Sequence, residues 1–430
     1  MTKKLKIIAD LHLHSKYSRA TSQRMDVDEL AHFAKIKGLN LLGTGDITFP
    51  AWFKDLKQKL KPMEGAGLLR YKGILWMLTV ELSTVYEQDK KVRKVHHLIL
   101  MPSFEIAEQI TERLKRYGRL DVDGRPVFNN LTSPELVEIL KETSKSVEVI
   151  PAHCWTPWYG VFGSKSGFDS LEECYQDMTK YIFALETGLS SDPPMNWRLS
   201  ALDKYALVSN SDAHSPWPWR IGREANVFEL PEISYDEIIR AIREKDSRRF
   251  KQTIEVNPAY GKYHWTGHRK CGISVSPREA IKLGDICPVC KRRLTEGVEE
   301  RVEKLADRPP GFRPEGAISY VHLLPLHEII ASVLGIDSLS ASKVWSIYNS
   351  LISKFGNEFH VLLDVKGREL SEVVGPRIAE AILRVRKGKV KVIPGYDGVY
   401  GEIMIFEKKR HLGEIDEPVS RKQVNLERFM

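Results

Sequence analysis

His12 and His14, in the run Asp-Leu-His-Leu-His, have the spacing that places alternate side chains of a strand on one face. One such pair also occurs as half-buried structural histidines. Here the pattern continues. Asp46 closes LNLLGTGD, Glu81 closes WMLTVE, His96 and His97 open the next apolar run, His153 closes VEVIPAH, and Asp212 and His214 close YALVSNSDAH. Carboxylates and imidazoles at successive strand ends would converge on one rim, and like-charged acids converge stably only around cations. Such a cluster supports hydrolysis of a phosphate ester without a serine or cysteine nucleophile. Cys154 adjoins His153, but nothing places a base to activate it, so it reads as a buried neighbour.

A second set, His268-x2-Cys271-x15-Cys287-x2-Cys290, has the spacing of a one-zinc ribbon or knuckle. Two short ligand pairs can close a tetrahedron in a segment too small for its own apolar core. His264 is a rival fourth ligand. Further on, Gly375-Pro376-Arg377 lies in a stretch similar to the helix-hairpin-helix DNA-binding motif. There, backbone N–H groups meet a phosphate. Arg384, Arg386, Lys387 and Lys389 add positive charge without an intervening acid. At the end of the chain, Gln423, Leu426 and Phe429 resemble the PCNA-interacting peptide, which implies a sliding-clamp partner.

The elements that must hold the first cluster are short apolar strands alternating with capped helical stretches such as DVDELAHFAKIKG and SPELVEILKETS. About seven β-then-α units before residue 250 predict an α/β fold, a (β/α)7 TIM-like barrel whose strand ends carry the site. The expected organisation is a phosphoesterase domain over 1–252, a zinc-binding module over 253–308, an α-helical helix-hairpin-helix-like domain over 309–395, and a hairpin with a polar tail over 396–430. A hydrophobic fraction of 42% and a charged fraction of 28% exclude a largely disordered chain. No apolar run reaches the roughly 18 to 20 residues of a membrane span. The start reads as no secretory signal, and five cysteines do not form a disulfide framework, so a cytoplasmic, nucleoid-associated protein without a membrane partner is expected. Residues 1–250 carry 36 Lys and Arg against 34 Asp and Glu, and residues 251–430 carry 29 against 23. That asymmetry suits a catalytic body with an appendage for a polyanion.

Over about 250 residues the first cluster resembles the PHP phosphoesterase family. The resemblance implies a distorted barrel with two or three Zn, Mn, Mg or Fe ions. It assigns His12 and His14 to the first motif, Glu81 and His97 to the third, and His153, Asp212 and His214 to the later ones. Of these, Glu81, His153, Asp212 and His214 are the expected catalytic group. Where the family has Thr-Asp-His, this chain has Gly45-Asp46-Ile47, which leaves Asp46 as ligand or as support for one.

The order barrel, zinc module, hairpin helices and clamp peptide resembles the endonuclease Q family over essentially the whole chain. That resemblance implies nicking of single- or double-stranded DNA 5′ of uracil, hypoxanthine, xanthine and abasic sites, leaving 3′-hydroxyl and 5′-phosphate ends. An enzyme that inspects one base must take it out of the stack into an aromatic-lined pocket. Trp155, Trp158, Tyr159, Trp197 and Trp217 follow strand ends and are the candidates. Two rival readings are a small-molecule PHP phosphatase and a non-catalytic damage-binding or clamp-adaptor protein.

Overall fold

A computed structural model describes residues 4–406. The expected PCNA-binding residues Gln423, Leu426 and Phe429 lie outside the described residues. The fold is mixed α/β around a central sheet. Seven strands carry the candidate site: Leu5–Asp10 (β1), Leu41–Gly43 (β2), Ile74–Gln88 (β3), Lys91–Met101 (β4), Glu148–Pro151 (β5), Ala184–Glu186 (β6) and Ala206–Val208 (β7). β1, β2 and β3 pair in parallel, as do β6 and β7. Parallel bridges at Val149–Ile182 and Leu13–Ala213 link β5 towards β6, and the end of β7 back to β1.

The expectation of uniformly parallel β-then-α units is corrected at β3 and β4, which form a long antiparallel hairpin; β4 then pairs antiparallel with β5. The cause is local. Only Asp89 and Lys90 connect the two strands, both at left-handed φ (54° and 60°). A two-residue turn of this kind matches strand twist in a hairpin, whereas a parallel crossover needs about a dozen residues.

Beyond the seven strands, Ala225–Leu230 (β8) pairs antiparallel with β1, and Phe250–Glu255 (β9) pairs antiparallel with β8. Ser319–His322 (β10) then adds in parallel to β9, so the segment after residue 309 begins by extending the sheet. The intervening residues form the small hairpin Thr266–His268 and Ile273–Val275. Another hairpin, Lys391–Ile393 with Glu402–Met404, straddles the boundary drawn at residue 395.

The helices start and stop where short-range chemistry dictates. The Asp26 carboxylate accepts the Asp28 and Glu29 N–H groups ahead of Val27–Lys37, and Gly38 ends that helix at φ 97°. Thr132 and Glu135 cap Ser133–Thr143 reciprocally. Gly367–Arg386 is two helices joined at Gly375 (φ 78°, ψ 165°), a backbone state open to glycine, with Pro376 starting the second. The helical part is pinned to the body by Lys37, whose Nζ donates to Glu358 Oε1 and to the Pro218 carbonyl, each at 2.7 Å. Glu358 also accepts from Leu326 N and the Tyr348 hydroxyl, each at 3.0 Å. Removing one partner of so buried a pair typically costs about 3–5 kcal/mol. Among the described residues, no helix is long and apolar enough to cross a membrane.

Candidate metal centre

Three overlapping sets of potential ligands meet at one rim of the sheet: His12, His14 and Glu81; His14, Asp212 and His214; and Glu81, His96 and His153. Glu81 and His14 each belong to two of the three sets and so link them. The Glu81 oxygens lie 2.6 Å from His96 Nδ1, 3.0 Å from His153 Nε2 and 3.4 Å from His14 Nε2. Two ligands about 2.1 Å from one tetrahedral cation are separated by about 3.4 Å, which the His14 distance matches, whereas the His96 and His153 contacts are direct hydrogen bonds that would open slightly to admit a cation.

Four of the histidines are fixed through Nδ1, which leaves Nε2 to face the centre. His12 Nδ1 donates to Glu186 at 3.0 Å, and His14 Nδ1 to Asp46 at 3.1 Å. The Thr156 hydroxyl gives its proton to the His153 carbonyl and accepts from His153 Nδ1 at 2.9 Å. His214 Nδ1 donates to the Asp212 carbonyl at 2.9 Å. Such outer partners set the tautomer and aim of metal-ligating imidazoles. His12 Nε2 provides the test of fit. It is buried with no hydrogen-bond partner, and Glu81 and Asp212 oxygens each stand 3.7 Å away. A buried orphan between two carboxylates is the environment a divalent cation satisfies.

Three residues here have left-handed φ without being glycine: Asp46 (48°), His153 (29°) and Asp212 (48°). Such states cost about 1–3 kcal/mol each and persist where surrounding bonds over-determine them. Gly188 is required beside them, since a Cβ there would lie 2.6 Å from His153 Cβ. Burial opposes charge on His12 and His14. Glu186 and Asp212 around the first, with Asp212 and Asp46 around the second, outweigh it and push both imidazoles well above their ordinary value. Burial likewise favours neutral Glu81, but His96 and His12 hold it well below the usual carboxylate range. Imidazoles must shed such protons to become ligands, so cation binding weakens on acidification.

One expected ligand, His97, is placed elsewhere. Strand side chains alternate, and β4 pairs with β3 so that Ser83 faces His96 while Leu82 faces His97. His96 therefore shares Glu81's face. His97 points into the opposite layer, where it meets the Tyr175 hydroxyl at 2.9 Å and Thr84 Oγ1 at 3.1 Å, and burial pushes it down to about 3. Asp46, expected as ligand or as support for one, stands in the supporting position. Its oxygens are occupied by His14 Nδ1, Ser15 N and Oγ, and Ser18 Oγ, so it orients His14. The sequence pattern includes His96 but gives the ligand role to His97, and it does not single out Glu186 or Arg125. Glu186 ends YIFALETG as other site residues end their strands, and that signal could have found it. Arg125, 3.3 Å from Glu81, sits on a loop with no such signal. Cys154 is fully buried, which pushes its thiol far above the ordinary value.

A cavity of about 330 Å³ opens over the cluster. It is lined by His96, His153, Asp212 and Arg125 and by the aromatic rings of Trp158, Tyr159, Tyr263 and Tyr400, with Trp158 packed edge-on against Tyr263 at a centroid distance of 5.7 Å. Tyr159 packs on His96 with ring centroids 4.2 Å apart. Three aromatic candidates lie elsewhere. Trp155 is buried and donates to Asn196 Oδ1 at 2.8 Å, Trp197 packs on Tyr320, and Trp217 stacks on Trp219.

His268, Cys271, Cys287 and Cys290 each offer a ligand atom within 4.8 Å of the others. His264 is not among them; its Nε2 faces Glu299 at 3.3 Å. Of the expected DNA-contacting residues, Arg377 is exposed next to Gly375, and Lys387 and Lys389 are exposed past the other end of the helix that Pro376 starts. Arg384 and Arg386 are less exposed and also serve as joints. Arg386 donates to the Leu362 and Val361 carbonyls, and Arg384 donates to Ile405 O at 2.7 Å. Their guanidinium groups meet helix-end and loop carbonyls that would otherwise lack partners.

The MJ0043 C-terminal domain family matches residues 325–389. The uncharacterised MJ0043 of Methanocaldococcus jannaschii is 35% identical over 265 residues, 60% of this chain and 32% of that protein, so this chain spans about a third of that relative's length. The uncharacterised YqxK of Bacillus subtilis is 30% identical over 417 residues, 93% of this chain and 99% of that protein. The crystal structure of the lesion-specific endonuclease PfuEndoQ from Pyrococcus furiosus superposes with a TM-score of 0.84 at 36% identity, covering 93% of this chain and 95% of that one. A crystal structure of Endonuclease Q with a 27-mer duplex bearing an abasic lesion at the active site gives 0.83 at 36% identity, covering 94% and 97%.

Proposed function

The chain belongs to the endonuclease Q family, and from that premise we propose that it is a metal-dependent endonuclease. It cuts DNA 5′ of uracil, hypoxanthine, xanthine and abasic sites, leaving 3′-hydroxyl and 5′-phosphate ends. The observation that carries the reading is the junction of the ligand cluster with the aromatic-walled cavity, which puts phosphate chemistry beside a space for an extruded nucleotide.

Cations held by His12, His14, Glu81, His96, His153, Asp212 and His214 would activate water near neutral pH and neutralise the phosphate oxygens. The chain's own groups do the positioning. Glu186, Asp46 and Thr156 hold three imidazoles in one tautomer and one direction. Arg125 balances Glu81 from the cavity side and is placed to meet a nonbridging phosphate oxygen. Trp158 and Tyr159 offer ring faces to a base and exclude water from one wall.

The distorted PHP barrel accounts for the circuit of strand pairings from β1 to β7. A structural zinc is supported by the four gathered side chains beside an apolar cluster of only five buried residues. Gly375, Arg377, Lys387 and Lys389 are proposed to hold the duplex backbone. A PCNA contact through Gln423, Leu426 and Phe429 and a nucleoid location complete the reading.

The deciding experiment uses a duplex with a single deoxyuridine. Metal-dependent nicking is expected from the intact protein, and its loss from Asp212→Asn and His214→Ala with gel-shift binding retained. Nicking that survives in either variant rejects the site.

A further inference from the structure

Two of the proposed cation ligands, Asp212 and His214, lie on a segment that has no strand or helix of its own between β7 and β8. One side chain closes both of its ends. Asp10, fully buried at the end of β1, accepts the Ser211 N–H at 3.0 Å, the Ser211 hydroxyl at 2.5 Å and the Gly222 N–H at 2.8 Å. Both ligands fall between the two clamped residues, so their placement depends on what holds the stretch inside the clamp.

The middle of that stretch is held from the helical part of the chain. Trp217 and Trp219 stack with ring centroids 5.5 Å apart. Trp345, on the helix Ser342–Phe355, meets them edge-on at 6.3 Å and 5.8 Å. His327, on the helix Leu326–Leu334, packs against Trp219 at 4.8 Å and against Trp345 at 4.5 Å. Rings at such separations attract beyond the area they bury. The Pro218 carbonyl, between the two tryptophans, accepts from Lys37 Nζ, the same group that pairs with Glu358. On the barrel side, Phe33 at 5.4 Å and the Arg24 guanidinium at 4.5 Å meet Trp217. Trp219 has its ring partners, Trp217 apart, in the helical part among the described residues.

This arrangement bears on the ligands themselves. Asp212 keeps a left-handed backbone (φ 48°), which persists where surrounding contacts over-determine it. Asp10 supplies one set of those contacts through Ser211. The stacked tryptophans, held by helices far along the chain, supply the other.

We infer that Trp345 is a positioning residue of the metal centre, because its packing on Trp217 and Trp219 holds the loop that presents Asp212 and His214. The inference rests on the metal-dependent reading, and it makes the helical part a component of the centre as well as of the proposed duplex grip.

The test measures the Mn²⁺ affinity of the full chain without DNA, by competition against a chromophoric chelator, so that a change in duplex binding does not enter. An aromatic pair contributes roughly 2- to 10-fold to an equilibrium, so Trp345→Ala, which removes two from the loop, is expected to weaken Mn²⁺ binding by roughly 5- to 100-fold. Trp345→Phe keeps a ring and is expected to recover most of that loss. Leu351→Ala, a fully buried position on the same helix but outside the ring cluster, is expected to lower Tm and leave Mn²⁺ affinity unchanged. Equal weakening in Trp345→Ala and Leu351→Ala means a loss of general stability and overturns the inference, as does unchanged affinity in Trp345→Ala. Where Trp345→Ala does not fold, Trp345→Leu, which keeps apolar bulk without the ring, is read by the same two outcomes. Mn²⁺ affinity that His214→Ala does not alter defeats the metal-centre reading itself, and is told apart because that variant leaves the helical part intact.

Discussion

Glu186→Gln is the sharpest test of how the cluster is held. The carboxylate is fully buried and accepts from three donors: His12 Nδ1 at 3.0 Å, the His153 backbone N–H at 2.8 Å and Asn210 Nδ2 at 2.8 Å. All its partners are donors, so either orientation of an amide turns an NH2 towards another N–H. The substitution therefore keeps volume, removes the charge beside His12 and leaves a donor-donor conflict in a buried site. Loss of an outer partner of a metal-bound histidine costs about 10- to 100-fold in metal affinity, or about 1.4–2.7 kcal/mol. Glu186 supports two ligands, His12 and His153, so the upper part of that range is expected. The assay is competition for Mn²⁺ and for Zn²⁺ against a chromophoric chelator, paired with single-turnover nicking across a metal titration. Nicking should recover partly at high metal, because the ligands themselves remain. Metal affinity within about twofold of the unaltered protein would refute the claim that outer partners set this site, since such partners normally contribute more.

His96→Ala should reduce nicking and metal affinity by at least roughly 10- to 100-fold. His97→Ala should leave metal affinity intact and lower Tm, as it strands the buried Tyr175 hydroxyl at a cost of about 1–3 kcal/mol; equal behaviour of the two would reject the strand register. Cys287→Ser should release zinc in a chelator assay and lower Tm, and unchanged zinc content and Tm would remove the structural-zinc reading. Burial, with Asp192 adding to it, pushes Glu255 up from an ordinary 4.5 to about 8. Its folded value is raised, so its contribution is complete below about pH 4.5 and is lost as pH rises through about 8. Glu255→Gln should flatten the fall in Tm across that window, and an unaltered Tm–pH curve would count against it.

The legible features were those set by short stretches of chain. Asp26 and Gly38 bound the first helix because caps act within one turn. Gly375-Pro376 breaks the late helix because only glycine accepts that backbone state cheaply. The two-residue spacings in the His268 to Cys290 set fix ligand geometry locally. What could not be read depended on partners distant in sequence. The Asp89-Lys90 turn is the exception, a local signal that makes β3 and β4 antiparallel where parallel units are expected.

Sequence by itself determined which chemical groups this protein has for a metal cluster and that most follow strand ends, because residue type and local period are written along the chain. Tertiary structure alone decided that His96 and not His97 faces Glu81, because a strand alternates its faces and only pairing with β3 sets the phase. It likewise made Asp46 and Glu186 supports, turned Arg384 and Arg386 into joints, and moved His264 from rival zinc ligand to cavity wall. In each case the role belongs to whichever partner the fold brings within hydrogen-bond reach, and those partners lie too far along the chain for spacing to specify.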